Sequence, residues 1–228
     1  MKYDFQLNNQ TFENPLVKSF SRGEFIDSST LRFSWRPGRK RETGLISGCK
    51  IDGRGFSEAL KFSMCYNILV KGCEIIGGKE GCVDIVRGGG VVFQNCRFIS
   101  NGQIKQHIAI RGGARDIAIK DCVFVGNYRK WWNGACVDLG NWTDYDDAPR
   151  PHARNIVVSN CKMEDITNRN LCRVLYSEKP KVYDCDGRVL GIPRFLVKLF
   201  WALKRKGWIG RRRRFSPRRL KVYDFEIT

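Results

Sequence analysis

The chain has no run of 18 or more apolar residues, which argues against a membrane-spanning helix. It also has no apolar stretch near Met1: Asp4, Asn8 and Asn9 fall within the first ten residues. No secretory signal peptide is therefore expected, and synthesis in the cytoplasm is. Acidic residues are scarce, with 23 Asp and Glu against 41 Lys and Arg, a net charge of +18. They are missing altogether between Arg194 and Arg219, where eleven Lys or Arg fall, so the other 202 residues carry only +7. A basic block of this kind predicts an anionic partner: acidic polysaccharide, nucleic acid, a membrane surface or an acidic protein. The plainer reading is a solubilising or locally paired patch.

What the chain has in abundance is repetition. Its 228 residues, 42% apolar, suffice for one core and one domain. Cysteines recur at Cys49, Cys73, Cys96, Cys122, Cys161 and Cys185, at intervals of 24, 23, 26, 39 and 24 residues. A seventh unit keeps the frame without the thiol: KVYD at 181–184 returns at 221–224, placing Phe225 where Cys185 stood. Self-similarity near 24 residues, with short β-rich runs and Gly or Asn turns, marks a solenoid whose units bury their apolar faces only by stacking. One cysteine per repeat puts the thiols in a column, where they are expected as reduced, buried small hydrophobes rather than disulfides or metal ligands.

Each unit contains two further strands. One ends about 13 residues before the cysteine, as in Leu60-Lys61-Phe62, Val83-Asp84-Ile85, Ile108-Ala109-Ile110, Val137-Asp138-Leu139 and Cys172-Arg173-Val174. Alternation turns the flanking residues inward and the middle one outward. The other directly precedes the cysteine, as in Asn67-Ile68-Leu69-Val70 and Asn155-Ile156-Val157-Val158. Three short strands per repeat predict an all-β, three-sided parallel β-helix of about seven coils. The expected organisation is a Phe-rich N-terminal cap over 1–44, coils over 45–190, a basic helical insertion over 191–219 and a final coil strand over 220–228.

The NCxF/GCxI pattern, preceded by an N-I-x-V strand, resembles the right-handed parallel β-helix, or pectate-lyase-like, superfamily over roughly 45–190 and 220–228. That group includes polysaccharide lyases, polygalacturonases, alginate epimerases and phage tailspikes. The resemblance implies a fold and sugar polymers as ligands, but no reaction: the hydrolase motif set (N-T-D, D-D, G-H-G, R-I-K) is absent, and so is a calcium-lyase acidic cluster.

Two long intervals mark insertions, Asn141 to Ala153 and Gly191 to Pro217, expected to leave the same corner two rungs apart and to touch. The first and its preceding turn carry Trp131, Trp132, Trp142 and Tyr145, candidates for stacking on a sugar, with loop anchoring as the alternative. The second runs from Pro193 through an apolar stretch to Lys204, Arg205 and Lys206 and predicts a short amphipathic helix that docks on the solenoid, a partner protein or a membrane surface. Arg211, Arg212, Arg213 and Arg214 are the anion-binding candidates, because guanidinium forks match carboxylate and phosphate.

The outward row Lys61, Asp84, Ala109, Asp138, Arg173 is the candidate catalytic site. Asp84 and Asp138 fall two rungs apart, about 10 Å, close to the spacing of inverting glycosidases. His107 and Arg111 on the intervening coil are placed to orient an acidic sugar. The competing reading is a ladder of alternating charge that stabilises stacked strands. Cys82, His107 and Cys136 are too widely spaced for zinc, so no metal or other cofactor is expected. The functional expectation is a non-catalytic or weakly catalytic scaffold for an acidic polysaccharide or glycan, possible in a virion or tailspike-like setting with other protein subunits. The alternative is a carbohydrate-active enzyme, an inverting hydrolase or uronate lyase. The oligomeric state is left open.

Overall fold

The computed structural model describes residues 3–12, 16–19, 29–34, 43–129, 134–140, 153–175 and 177–192. Both insertions, apart from their edges, and the 220–228 repeat lie outside the described residues, as do Trp131, Trp132, Trp142, Tyr145 and Arg211 to Arg214. The described chain is all-β. It opens with β1 (Phe5–Asn8), β2 (Thr11–Phe12), β3 (Leu16–Ser19) and β4 (Ser29–Ser34). Then come β5 (Gly44–Ser47), β6 (Lys50–Asp52) and the long β7 (Glu58–Lys71), followed by β8 (Glu74–Ile76) and the equally long β9 (Gly81–Gln94). The unit recurs as β10 (Arg97–Ile99), β11 (Gln106–Arg111) and β12 (Arg115–Lys120), and again as β13 (Val123–Val125), β14 (Ala135–Leu139) and β15 (Arg154–Ser159). The last described strands are β16 (Lys162–Glu164), β17 (Asn170–Leu175), β18 (Lys181–Tyr183) and β19 (Arg188–Ile192).

Each strand pairs in parallel with its equivalent one coil away, giving a 13-stranded and a 6-stranded sheet. The register runs unbroken: Leu31, Leu60, Val83, Ile108, Val137 and Cys172 stack in one column. The N-terminal residues contribute to these rungs, since β1 lies on β5 and β4 on β7.

The corner before each cysteine explains the repeat. Gly48, Gly72, Asn95, Asp121, Asn160 and Asp184, each directly before a repeat cysteine, and Asn9, before Gln10 at the same corner of the first coil, all take left-handed backbone, φ between 48° and 63°. Gly, Asn and Asp tolerate that region best, which is why the motif reads N, G or D before C. At this corner the amides of Gly48, Gly72, Asn95, Asp121 and Asn160 donate to the carbonyl closing the strand of the next coil, at 2.9–3.1 Å. After the turn the cysteine points inward. Its carbonyl accepts from the next coil's strand, as Cys73 does from Arg97 N–H at 2.9 Å.

All ten cysteines are free, nine of them buried and Cys185 half-buried. Burial pushes the Cys82, Cys136 and Cys172 thiols up, and Cys185 up to about 11, so these remain protonated and unreactive near neutrality. A chain of rings runs beside them. Phe5 stacks on Phe33 (5.1 Å between centroids), Phe33 on Phe62 (5.6 Å), and Phe98 on Phe124 (5.2 Å), with Phe93 meeting Phe98 edge-on.

Phe98 is fully buried between Phe93 and Phe124, so Phe98→Ala should cost about 3–5 kcal/mol in urea unfolding. Gly72→Ala meets no neighbouring atom and should cost only the left-handed strain, about 1–2 kcal/mol. A reversed order of the two would mean that the ring stack is not the principal packing term.

Candidate functional site

The register assembles the row read from the sequence. Lys61, Asp84, Ala109, Asp138 and Arg173 are direct neighbours on β7, β9, β11, β14 and β17. The row is closed to water, however: Lys61 is 6% exposed, Asp84 1%, Asp138 7% and Arg173 6%. Buried carboxylates persist as anions only when paired, and these are. Asp84 Oδ2 accepts from Lys61 Nζ at 3.0 Å and from the Arg111 guanidinium reaching over from the next coil. Asp138 takes a two-pronged contact from Arg173, with Nε to Oδ1 at 3.0 Å and Nη2 to Oδ2 at 2.5 Å. Ala109 separates the two clusters with a side chain too short to bridge them.

Arg111 therefore joins the site, held by Asp84. One atom stands apart: Asp84 Oδ1 is buried and has no hydrogen-bond partner.

His107 does not join the row. It is fully buried on the side of β10 and β13, with its ring 5.4 Å from Phe124 and 5.3 Å from Tyr128. Nε2 lies 3.1 Å from the Val125 carbonyl, which can only accept, so Nε2 carries the proton. Nδ1 is then bare and accepts from the Tyr128 hydroxyl at 3.1 Å. The Tyr128 oxygen in turn sits 3.3 Å from Cys136 Sγ. Burial lowers the His107 pKa to about 4, which keeps the ring neutral. A neutral, enclosed imidazole cannot offset the charge of an acidic sugar, so its part is structural. Tyr128, the partner that fixes it, carries no signal in the repeat pattern, because it lies in the turn after β13. Among the described residues, no three His, Cys, Asp or Glu side chains are grouped to hold a metal ion.

The arrangement can hold charge in register.

Residues 8–146 match the family described as a right-handed β-helix region. Two solved structures are similar. One is the A-module of the mannuronan C-5 epimerase AlgE6 of Azotobacter vinelandii: 9% identity, 73% of this chain and 47% of that one, TM-score 0.42. The other is the periplasmic alginate epimerase AlgG: 14% identity, 73% of this chain and 41% of that one, TM-score 0.44. This chain thus spans less than half the length of either. No curated protein matches it.

The neutral His107 makes a pH prediction. Its folded pKa of about 4 lies below its unfolded value of 6.5, so the unfolded chain binds the extra proton first as pH falls. Stability from this group is complete above pH 6.5 and drains away toward pH 4, by about 3 kcal/mol in total. In paired urea titrations across this range, wild type should lose that increment relative to His107→Gln. Parallel profiles would show that the ring is protonated in the fold.

Proposed function

The chain belongs to the right-handed β-helix family, and we propose that it uses the solenoid as a scaffold for binding an anionic polymer, an acidic polysaccharide or glycan, without turning it over. The observation that carries this reading is the state of the two candidate catalytic carboxylates. Asp84 and Asp138 are each neutralised by buried cations and almost closed to solvent, as befits stacked-strand ion pairs rather than an acid and a base awaiting substrate. A general acid needs a raised, exchangeable proton, and an inverting base needs a water beside it. Two cation-locked anions supply neither. The polymer reading follows from the net charge of +18, which favours polyanions over neutral ligands, and from an elongated surface repeated at strand spacing.

A second reading, a carbohydrate-active enzyme, has one specific observation in its favour. Asp84 Oδ1 is a buried acceptor with no hydrogen-bond partner beneath the partly exposed Arg111, and a sugar hydroxyl that displaced Arg111 would supply its donor. In that reading Arg111 would bind the acidic sugar while Asp84 and Asp138 act on it.

The two separate in one experiment. The purified chain is incubated with polygalacturonate and with sulfated dextran at about 150 mM salt, and binding and product formation are followed together. Binding with intact polymer is expected. Asp138→Asn, which strips the charge from the carboxylate that Arg173 grips with two hydrogen bonds, should lower stability by about 3–5 kcal/mol, well beyond the fraction of a kcal/mol that an exposed ladder pair is worth. Shortened or unsaturated products that vanish in a folded Asp84→Asn variant would establish the enzyme instead.

A further inference from the structure

The third strand of each coil presents a face that the candidate row leaves unused. Along it the outward residues are in register: Leu45, Leu69, Val92, Ala118 and Val157 on β5, β7, β9, β12 and β15. Their chain neighbours Ile46, Val70, Phe93, Ile119 and Val158 point into the core and are buried, whereas all five members of the row are partly exposed. An aliphatic stripe of five rungs, about 19 Å long, therefore lies on the surface. It stops at polar residues at both ends, Gln6 on β1 and Lys181 on β18.

Cations border the stripe on both sides. Two residues further along the strands, the row Ser47, Lys71, Gln94, Lys120, Ser159 carries exposed Lys71 and Lys120, two rungs or about 10 Å apart. At the strand starts, Arg115 and Arg154 are exposed and directly adjacent in register. Of these four, Arg115 has a carboxylate nearby, Asp116 at 3.8 Å, while Lys71, Lys120 and Arg154 have none within ion-pair distance among the described residues. The bordering acids Asp116 and Asp121 take hydrogen bonds from Asn155 and Asn160, at 2.7 and 2.8 Å.

The β2–β6–β8–β10–β13–β16 sheet is arranged differently. There Lys50 meets Glu74 at 3.4 Å and Arg97 meets Glu164 at 2.8 Å, while Lys162 meets no acid among the described residues. The solenoid thus neutralises most of the charge on one flank and leaves it available on the other.

We propose that the outer face of β5, β7, β9, β12 and β15 is the seat of a linear acidic polysaccharide lying along the solenoid axis. The C–H faces of its sugar rings would rest on the aliphatic stripe, and its carboxylates or sulfates would reach Lys71 and Lys120 on one side and Arg115 and Arg154 on the other. Charge complementarity sets the sign of the ligand, and the repeating row sets its linear form. The stripe itself is aliphatic from end to end, so nucleic-acid bases would find a ring to stack on only at exposed Tyr183, where the bordering lysine row ends. The proposal rests on the polymer-binding reading above, and names the surface that reading leaves unassigned.

The test uses the full chain and compares two double substitutions of equal charge change, with folding checked by thermal melting. Lys71→Glu with Lys120→Glu alters the proposed face, and Lys79→Glu with Lys162→Glu alters exposed lysines elsewhere. Affinity for polygalacturonate and for sulfated dextran at about 150 mM salt should fall more than about tenfold in the first pair and less than about threefold in the second. Leu69→Ser, which leaves the charge untouched, should weaken binding several-fold. Equal losses in both pairs would reduce the effect to net charge and overturn the face, while leaving polymer binding intact. Wild type that binds neither polymer would instead remove the polymer-binding reading itself. Tighter binding of single-stranded DNA than of either polysaccharide would overturn the ligand class.

Discussion

Parallel stacking at the strand spacing is the constraint on which the rest depends. Each coil lies about 4.8 Å above the last, so a residue meets its own equivalent above and below before it meets anything else. Such contacts must be favourable for identical or complementary side chains at every rung. Thiol on thiol, phenyl on phenyl and isoleucine on isoleucine satisfy this in the interior. Left-handed Gly, Asn and Asp satisfy it at the corner, where one main-chain hydrogen bond passes from coil to coil. A repeat of about 24 residues is the perimeter of one coil written into the sequence.

The same constraint is severe for charge, because like charges stacked in register repel. On the β7–β9–β11–β14–β17 face the chain alternates sign, and the row is buried, so each carboxylate is held by cations from neighbouring rungs. The Ala109 rung interrupts the alternation and keeps Asp84 and Asp138 apart. On the β5–β7–β9–β12–β15 face the lysines are set two rungs apart in one row, and Arg115 and Arg154, stacked directly across the aliphatic stripe, are exposed to solvent. A strongly basic chain can thus stack parallel strands without placing uncompensated like charges in direct contact in its core.

The fold was legible because its signals are periodic. The cysteine spacing, the apolar strand before each cysteine and the turn residue between them recur from coil to coil, so no single ambiguous position mattered. Register followed as well, since Lys61, Asp84, Ala109, Asp138 and Arg173 are neighbours as alternation requires. The exposed row Leu69, Val92, Ala118, Val157 was also present in the letters, as the x of N-I-x-V, though its aliphatic character there resembles core. His107 shows where alternation is insufficient. One step before the paired residues of β11, the chain is still rounding a corner, and the ring turns toward Phe124 and Tyr128 rather than joining the polar row.

The sequence by itself determined the solenoid, its parallel register and the column of thiols, because these depend on local turn preference and on spacing, both of which are linear properties. Only the tertiary structure decided how far each polar row is from water and which charge answers which. That Arg111 crosses to Asp84, that Arg173 closes on Asp138, and that Lys71, Lys120 and Arg154 meet no acid among the described residues depends on side chains brought together from coils 20 to 40 residues apart. Solvation and Coulomb energy depend on distance through space, which spacing along the chain does not encode.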